Sequence, residues 1–105
     1  MHIALAPFRL ATGVTEDDLI AASDGFDRDF VRHQEGILRR ILVKDGAGGY
    51  ADVVFFADLA AIERVVEAEQ RSEVCAAFFS IMDGEDQHRV YEVIKNYDPS
   101  QAPMP

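Results

Sequence analysis

Arg39 and Arg40 stand side by side in a run rich in β-forming residues, Ile37 to Lys44. Successive side chains of a strand point to opposite faces, so one guanidinium must enter each face of a sheet, and an unpaired charge suits neither. If the run pairs with Tyr50 to Phe56 as a hairpin, with Lys44 opposite Tyr50, then Arg40 falls opposite Val54 and diagonal to Asp52 on one face. Two readings stay open. A guanidinium fixed in an apolar pocket orients a carboxylate, phenolate or enolate, whereas an Arg40 and Asp52 ion pair satisfies only itself. His33 is a second candidate for proton transfer, because an imidazole titrates near neutral pH and this one closes an apolar helical stripe. The same histidine at a helix C-terminus would instead offset the helix dipole. In the catalytic reading His33 or Asp52 is the base and Arg40 the anion stabiliser.

The remaining reactive types do not assemble into motifs. His2, His33 and His88 have no short ligand spacing, so no metal site is expected. Asp24 to Asp29 lacks the glycine position and terminal glutamate of a calcium loop. Gly46, Gly48 and Gly49 join two strands, with no following helix to hold a phosphate. Cys75 is the single cysteine, which permits no internal disulfide, and its apolar neighbours make it a small buried hydrophobe.

The elements that must position these residues follow from period and punctuation. Ile3, Leu5, Phe8 and Leu10 mark a first strand, with Pro7 suggesting an edge or bulge. Thr15 followed by Glu16, Asp17 and Asp18 is a helix start, and Leu19, Ala22, Ser23, Phe26, Phe30 and His33 recur at helical spacing to about Gln34. Gly36 ends that helix. The hairpin follows, then Asp58 caps a helix expected to turn Leu59, Ile62 and Val66 inward. Ser72 opens a short helix through Phe79, and Val90 to Tyr97 is the last strand. The order predicts an α+β, ferredoxin-like βαββαβ domain over residues 1–97, with an extra short helix and a four-stranded antiparallel sheet. A Pro-rich tail covers 98–105.

Two helices cover one face of such a sheet, and the other should then alternate with polar residues. It does not: Val53 and Phe55 lie opposite Val54 and Phe56, and Leu38 and Leu42 opposite Ile37, Ile41 and Val43. A large apolar sheet face rarely stays bare, so a second copy is expected on it as a symmetric homodimer.

The 105 residues suffice for one domain, and a hydrophobic share of 49% with 28% charged residues is that of a folding chain. A net charge of −9 repels a phosphate backbone and an anionic leaflet, which excludes nucleic acid and membrane surfaces as natural partners. No apolar run reaches the roughly 20 residues of a membrane span, and the opening residues carry no secretory leader, so the expected location is cytoplasmic.

With Phe8-Arg9-Leu10, Gly36 to Arg40, Tyr50 to Phe56 and the helical stretch Ser72 to Phe79, the chain resembles the antibiotic-biosynthesis monooxygenase-like domains of the dimeric α+β barrel superfamily. The resemblance spans about residues 2 to 97 and implies a homodimeric α+β barrel, each subunit keeping a pocket between sheet and helices. Its members include cofactor-independent quinone-forming monooxygenases and haem-degrading ones. The latter use an Asn, a Trp and a His at positions that fall at or beside Phe8, Phe56 and Phe79 here. No axial imidazole stands in that helix, so haem is not expected and neither is another cofactor. The three phenylalanines would make an apolar wall for a flat hydrophobic ligand. The function implied is binding of a small aromatic or phenolic molecule, with cofactor-free monooxygenase chemistry upon it; the alternative is a noncatalytic homodimer that binds a ligand or partner.

Overall fold

Each helix begins at a side chain able to hold an orphan backbone N–H. In the computed structural model, which describes residues 1–83 and 88–99, Thr15 Oγ1 accepts from Asp18 N at 3.1 Å while Asp18 Oδ2 accepts from Thr15 N at 3.0 Å. That reciprocal cap opens α1, Glu16–Asp29. Asp58 Oδ1 accepts from Ala61 N at 2.8 Å to open α2, Leu59–Glu69, and Ser72 Oγ from Cys75 N at 3.2 Å to open α3, Glu73–Phe79.

The strands are β1, His2–Leu10; β2, Ile37–Lys44; β3, Gly49–Phe56; β4, Met82–Asp83; and β5, Arg89–Glu92. They form one antiparallel sheet in the order β2-β3-β1-β4, with β5 also on β1. β4 pairs with Arg9 and Leu10 and β5 with His2 to Leu5, so the two pieces together occupy the place of the fourth ferredoxin-like strand. The helices lie on one side, and the core joins Phe8 and Phe56 of the sheet to Leu19, Phe26, Ala61, Val65, Cys75 and Phe78.

The structure corrects four expectations. The first helix ends at Asp29, and a 3-10 turn at Val31–His33 carries the chain to Gly36; Phe30, at φ −129° and ψ −61°, has left helical geometry. In β2 the register shifts between Ile37 and Arg39, so Ile37 pairs with Phe56 and packs on the core. Leu38, the extra residue of this bulge, is 59% exposed. α2 turns Ala61 and Val65 inward rather than Leu59 and Val66, which are 51% and 47% exposed. The reason is a close approach: Gly36, at φ +94°, lies so near Ala61 that a Cβ on it would stand 2.5 Å from the Ala61 Cβ. Only two small residues fit there. Finally, strand pairing on the last edge stops at Glu92, with Ile94 and Tyr97 beyond it 95% and 76% exposed. From residue 100 on, the expected tail lies outside the described residues.

Candidate ligand-binding site

Lys44 pairs with Tyr50, as the hairpin reading requires, and this register places Arg40 opposite Val54 and Leu42 opposite Asp52. The Arg40 and Asp52 side chains are only 8% and 12% exposed. Both Asp52 oxygens accept from the one Arg40 Nε–H, at 2.8 and 3.0 Å, and Ser23 Oγ of α1 accepts from Nη2 at 2.9 Å. The guanidinium lies 4.9 Å from the Phe26 ring centroid and 5.4 Å from that of Phe78, two rings that stack at 4.4 Å. Because Asp52 engages the fork only at Nε, three of the five guanidinium N–H groups have no acceptor among the described residues. Burial raises the Asp52 carboxyl above its ordinary value, and the charge of Arg40 draws it back down.

Beside this cluster the helical layer is thin. Ala6, paired with Asp52, and Ala4, paired with Val54, point to the helix side of the central strand yet are only half-buried. Leu5 and Val53 on the opposite face are half-buried as well. Further along β2, past Leu42, an open cleft of about 210 Å³ lies between the first turn of α1 and the β2–β3 hairpin. Leu19 and Leu42 line it. At its polar end Glu16 Oε1 accepts from Lys44 Nζ at 2.8 Å and from Tyr50 Oη at 3.2 Å. These bonds lower the Glu16 pKa and raise that of Lys44, while burial of its ring raises Tyr50. Leu19, which lines the cleft, stands one helical turn before Ser23, the serine that accepts from Arg40.

The expected site residues separate into three groups. Arg40 and Asp52 meet. Phe8 and Phe56 are buried in the core at 3% and 4% exposure, whereas Phe79 is 41% exposed and it is Phe78, at 3%, that faces Arg40. His33 lies exposed at the end of the 3-10 turn, outside the Arg40 hydrogen bonds. Sequence reasoning passed over two members. Ser23 carried a usable signal, a polar residue on an otherwise apolar stripe. Glu69, half-buried at the end of α2, carried none while that helix was phased on Leu59 and Val66.

The sequence matches no protein-family model and no curated protein. Solved structures do match it over nearly the whole chain. A variant of SnoaB, a cofactor-independent oxygenase from Streptomyces nogalater, superposes with a TM-score of 0.66 at 14% identity, covering 90% of this chain and 94% of that one. A Chloroflexus aurantiacus protein described as an antibiotic biosynthesis monooxygenase gives 0.65 at 11% identity, covering 92% and 96%. The fold is the one shared by antibiotic biosynthesis monooxygenase structures. At3g17210 from Arabidopsis thaliana has it too, with a TM-score of 0.75 at 12% identity over 92% of this chain and 99% of that one. On this fold the Arg40 cluster lies on the helix side of the sheet, and the opposite side carries Leu5, Ile41, Val53 and Phe55, which among the described residues are not part of the core. Among the described residues, no helix is long and apolar enough to cross a membrane, and no three His, Cys, Asp or Glu side chains converge as metal ligands.

Proposed function

We propose that the protein is a homodimer that binds a flat aromatic or phenolic molecule between its helices and sheet, and acts on it as a cofactor-independent monooxygenase-like enzyme. The observation that carries the reading is Arg40: a guanidinium 8% exposed, between two phenylalanine rings, with N–H groups left for an acceptor. Such a group holds a phenolate or enolate oxygen more strongly than water does, because the surroundings are apolar and the donors are already fixed. The oxygenase neighbour on the same fold supports the reaction class. In that chemistry the deprotonated substrate itself reduces dioxygen, so the protein's tasks are to take a proton and to hold an anion. Asp52 and Ser23 hold Arg40 in place, and the nearby cleft past Leu42 is the opening by which a planar ligand would approach it.

A noncatalytic ligand- or partner-binding dimer is favoured by one specific observation, the occupation of both Asp52 oxygens by Arg40, which lets the pair stand without a ligand. Oxygen consumption measured with a panel of hydroquinones and anthrones separates the two. Uptake that depends on Arg40 supports the enzyme; saturable binding with no uptake supports the rival.

A further inference from the structure

The open cleft beside the β2–β3 hairpin has a polar end whose hydrogen bonds are incomplete. Residues 16, 19 and 23 of α1 recur at helical spacing and 40, 42 and 44 of β2 at strand spacing, so each set shares one face. Ser23 meets Arg40 at one end of these rows and Glu16 meets Lys44 at the other. Leu19, Ile20 and Leu42 wall the cleft, and Glu16, Lys44 and Tyr50 close it. The side chains that touch Arg40, namely Asp52, Ser23, Phe26 and Phe78, do not line it.

The Tyr50 ring stacks on buried Phe8 with centroids 5.9 Å apart, which fixes where its hydroxyl reaches. That hydroxyl and the Lys44 ammonium both donate to one oxygen, Glu16 Oε1. Glu16 Oε2 and two of the three ammonium N–H groups have no partner among the described residues. The bond lowers the Glu16 pKa and raises that of Lys44, so both stay ionised near neutral pH and their charges cancel. An anion entering here meets Glu16 and a cation meets Lys44. A neutral hydroxyl finds an acceptor and a donor side by side, and the leucine and isoleucine walls suit an apolar body behind it. At about 210 Å³ the cleft is smaller than the roughly 300–1,000 Å³ of sites for drug-sized molecules, which limits the occupant to about one ring.

We propose that this cleft is a small-molecule site in its own right, taking an uncharged one-ring alcohol or phenol whose hydroxyl donates to Glu16 Oε2 and accepts from Lys44 Nζ. The proposal goes beyond the anion-holding role of Arg40 and does not depend on it. The ligand keeps its proton, and its ring lies against Leu19, Ile20 and Leu42.

The test compares para-ethylphenol, which is uncharged at neutral pH, with its methyl ether, which keeps the ring and tail and lacks the donor. In amide NMR titrations of the wild type, both probes move the Leu19, Ile20, Lys44 and Tyr50 signals to saturation, the ether binding about fivefold or more weakly. Glu16→Gln replaces the charged acceptor with a neutral one and brings the two probes to within about twofold of each other. Ile20→Ser, at a position 46% exposed and so safe for the fold, weakens both probes by the same factor. Equal affinities in the wild type, a gap that persists in Glu16→Gln, or no saturable shifts at the cleft residues overturns the proposal. Shifts centred instead on Ser23, Arg40 and Asp52 overturn it while supporting the Arg40 reading. Saturable cleft shifts that leave the Arg40 signals unmoved uphold the cleft site whatever becomes of that reading.

Discussion

The two faces of the sheet are built from the same strands and meet opposite fates. On the helix side Arg40 is closed in by Asp52, Ser23 and two rings. One residue earlier, Arg39 pairs with Phe55 on the other face and is exposed. Around it Ile3, Leu5, Ile41, Val53 and Phe55 form an apolar, half-buried field that lies outside the core cluster of the described residues. The contrast teaches that the alternation of a strand fixes which face a charge enters, whereas the partner across the ladder decides whether that charge is held. Asp52 stands diagonal to Arg40; Arg39 has only apolar neighbours in the corresponding places.

The largest effect should come from breaking the held side. Arg40→Met leaves the Asp52 carboxylate buried without its counter-ion and should lower stability by about 3 to 5 kcal/mol in urea melts. The double variant Arg40→Met, Asp52→Leu should recover much of the loss, because no charge is left unpaired. Arg39→Met, on the exposed side, should stay within about 0.5 kcal/mol of wild type. On the bare face, Val53→Glu places a charge at the centre of the proposed dimer contact. Sedimentation of the wild type should give about twice 11.7 kDa, and the variant a single subunit with its Arg40 site intact. A wild type that sediments as a monomer at micromolar concentration would remove the barrel.

A smaller effect concerns pH. Glu69 is raised from 4.5 to about 7 in the folded protein, so between those values the folded chain keeps a proton that the unfolded chain releases. Its contribution to stability is present in full below about 4.5 and is lost as pH rises through about 7. With the group still partly solvated, the change should be about 1 to 2 kcal/mol, and Glu69→Gln should flatten that part of the pH profile of urea melts. The smallest effect is expected at Leu38, where the bulge turns the side chain to solvent: Leu38→Ser should shift stability by no more than about 0.5 kcal/mol.

Much of this site was legible because the hairpin is short and its turn is made of glycines, which fixed Lys44 against Tyr50 and hence Arg40 near Asp52. The ferredoxin-like order was equally open to reading, since its caps at Thr15, Asp58 and Ser72 are all used. What escaped depended on tertiary fit. Ile37 and Leu38 are both apolar, so nothing in their types says which one a bulge ejects. α2 has apolar residues around most of its circumference, and its rotation is set by the approach of Ala61 to Gly36 rather than by its largest side chains. Glu69 was lost with that rotation, and Phe78 was exchanged with Phe79 because two adjacent phenylalanines carry no internal phase mark.

The place of β1 between β3 and the β4–β5 edge has a kinetic consequence. The hairpin closes over a five-residue reach and belongs to the microsecond events of folding, but Leu5 of β1 must find Val53 on one side and Arg89 on the other. One strand thus carries every long loop closure in the described sheet, and contacts of that separation set the folding rate of a small domain. A hairpin closed that early is already present in the transition state, so substitutions that weaken either it or the β1 pairing should register as slower refolding, while those in contacts made afterwards register as faster unfolding.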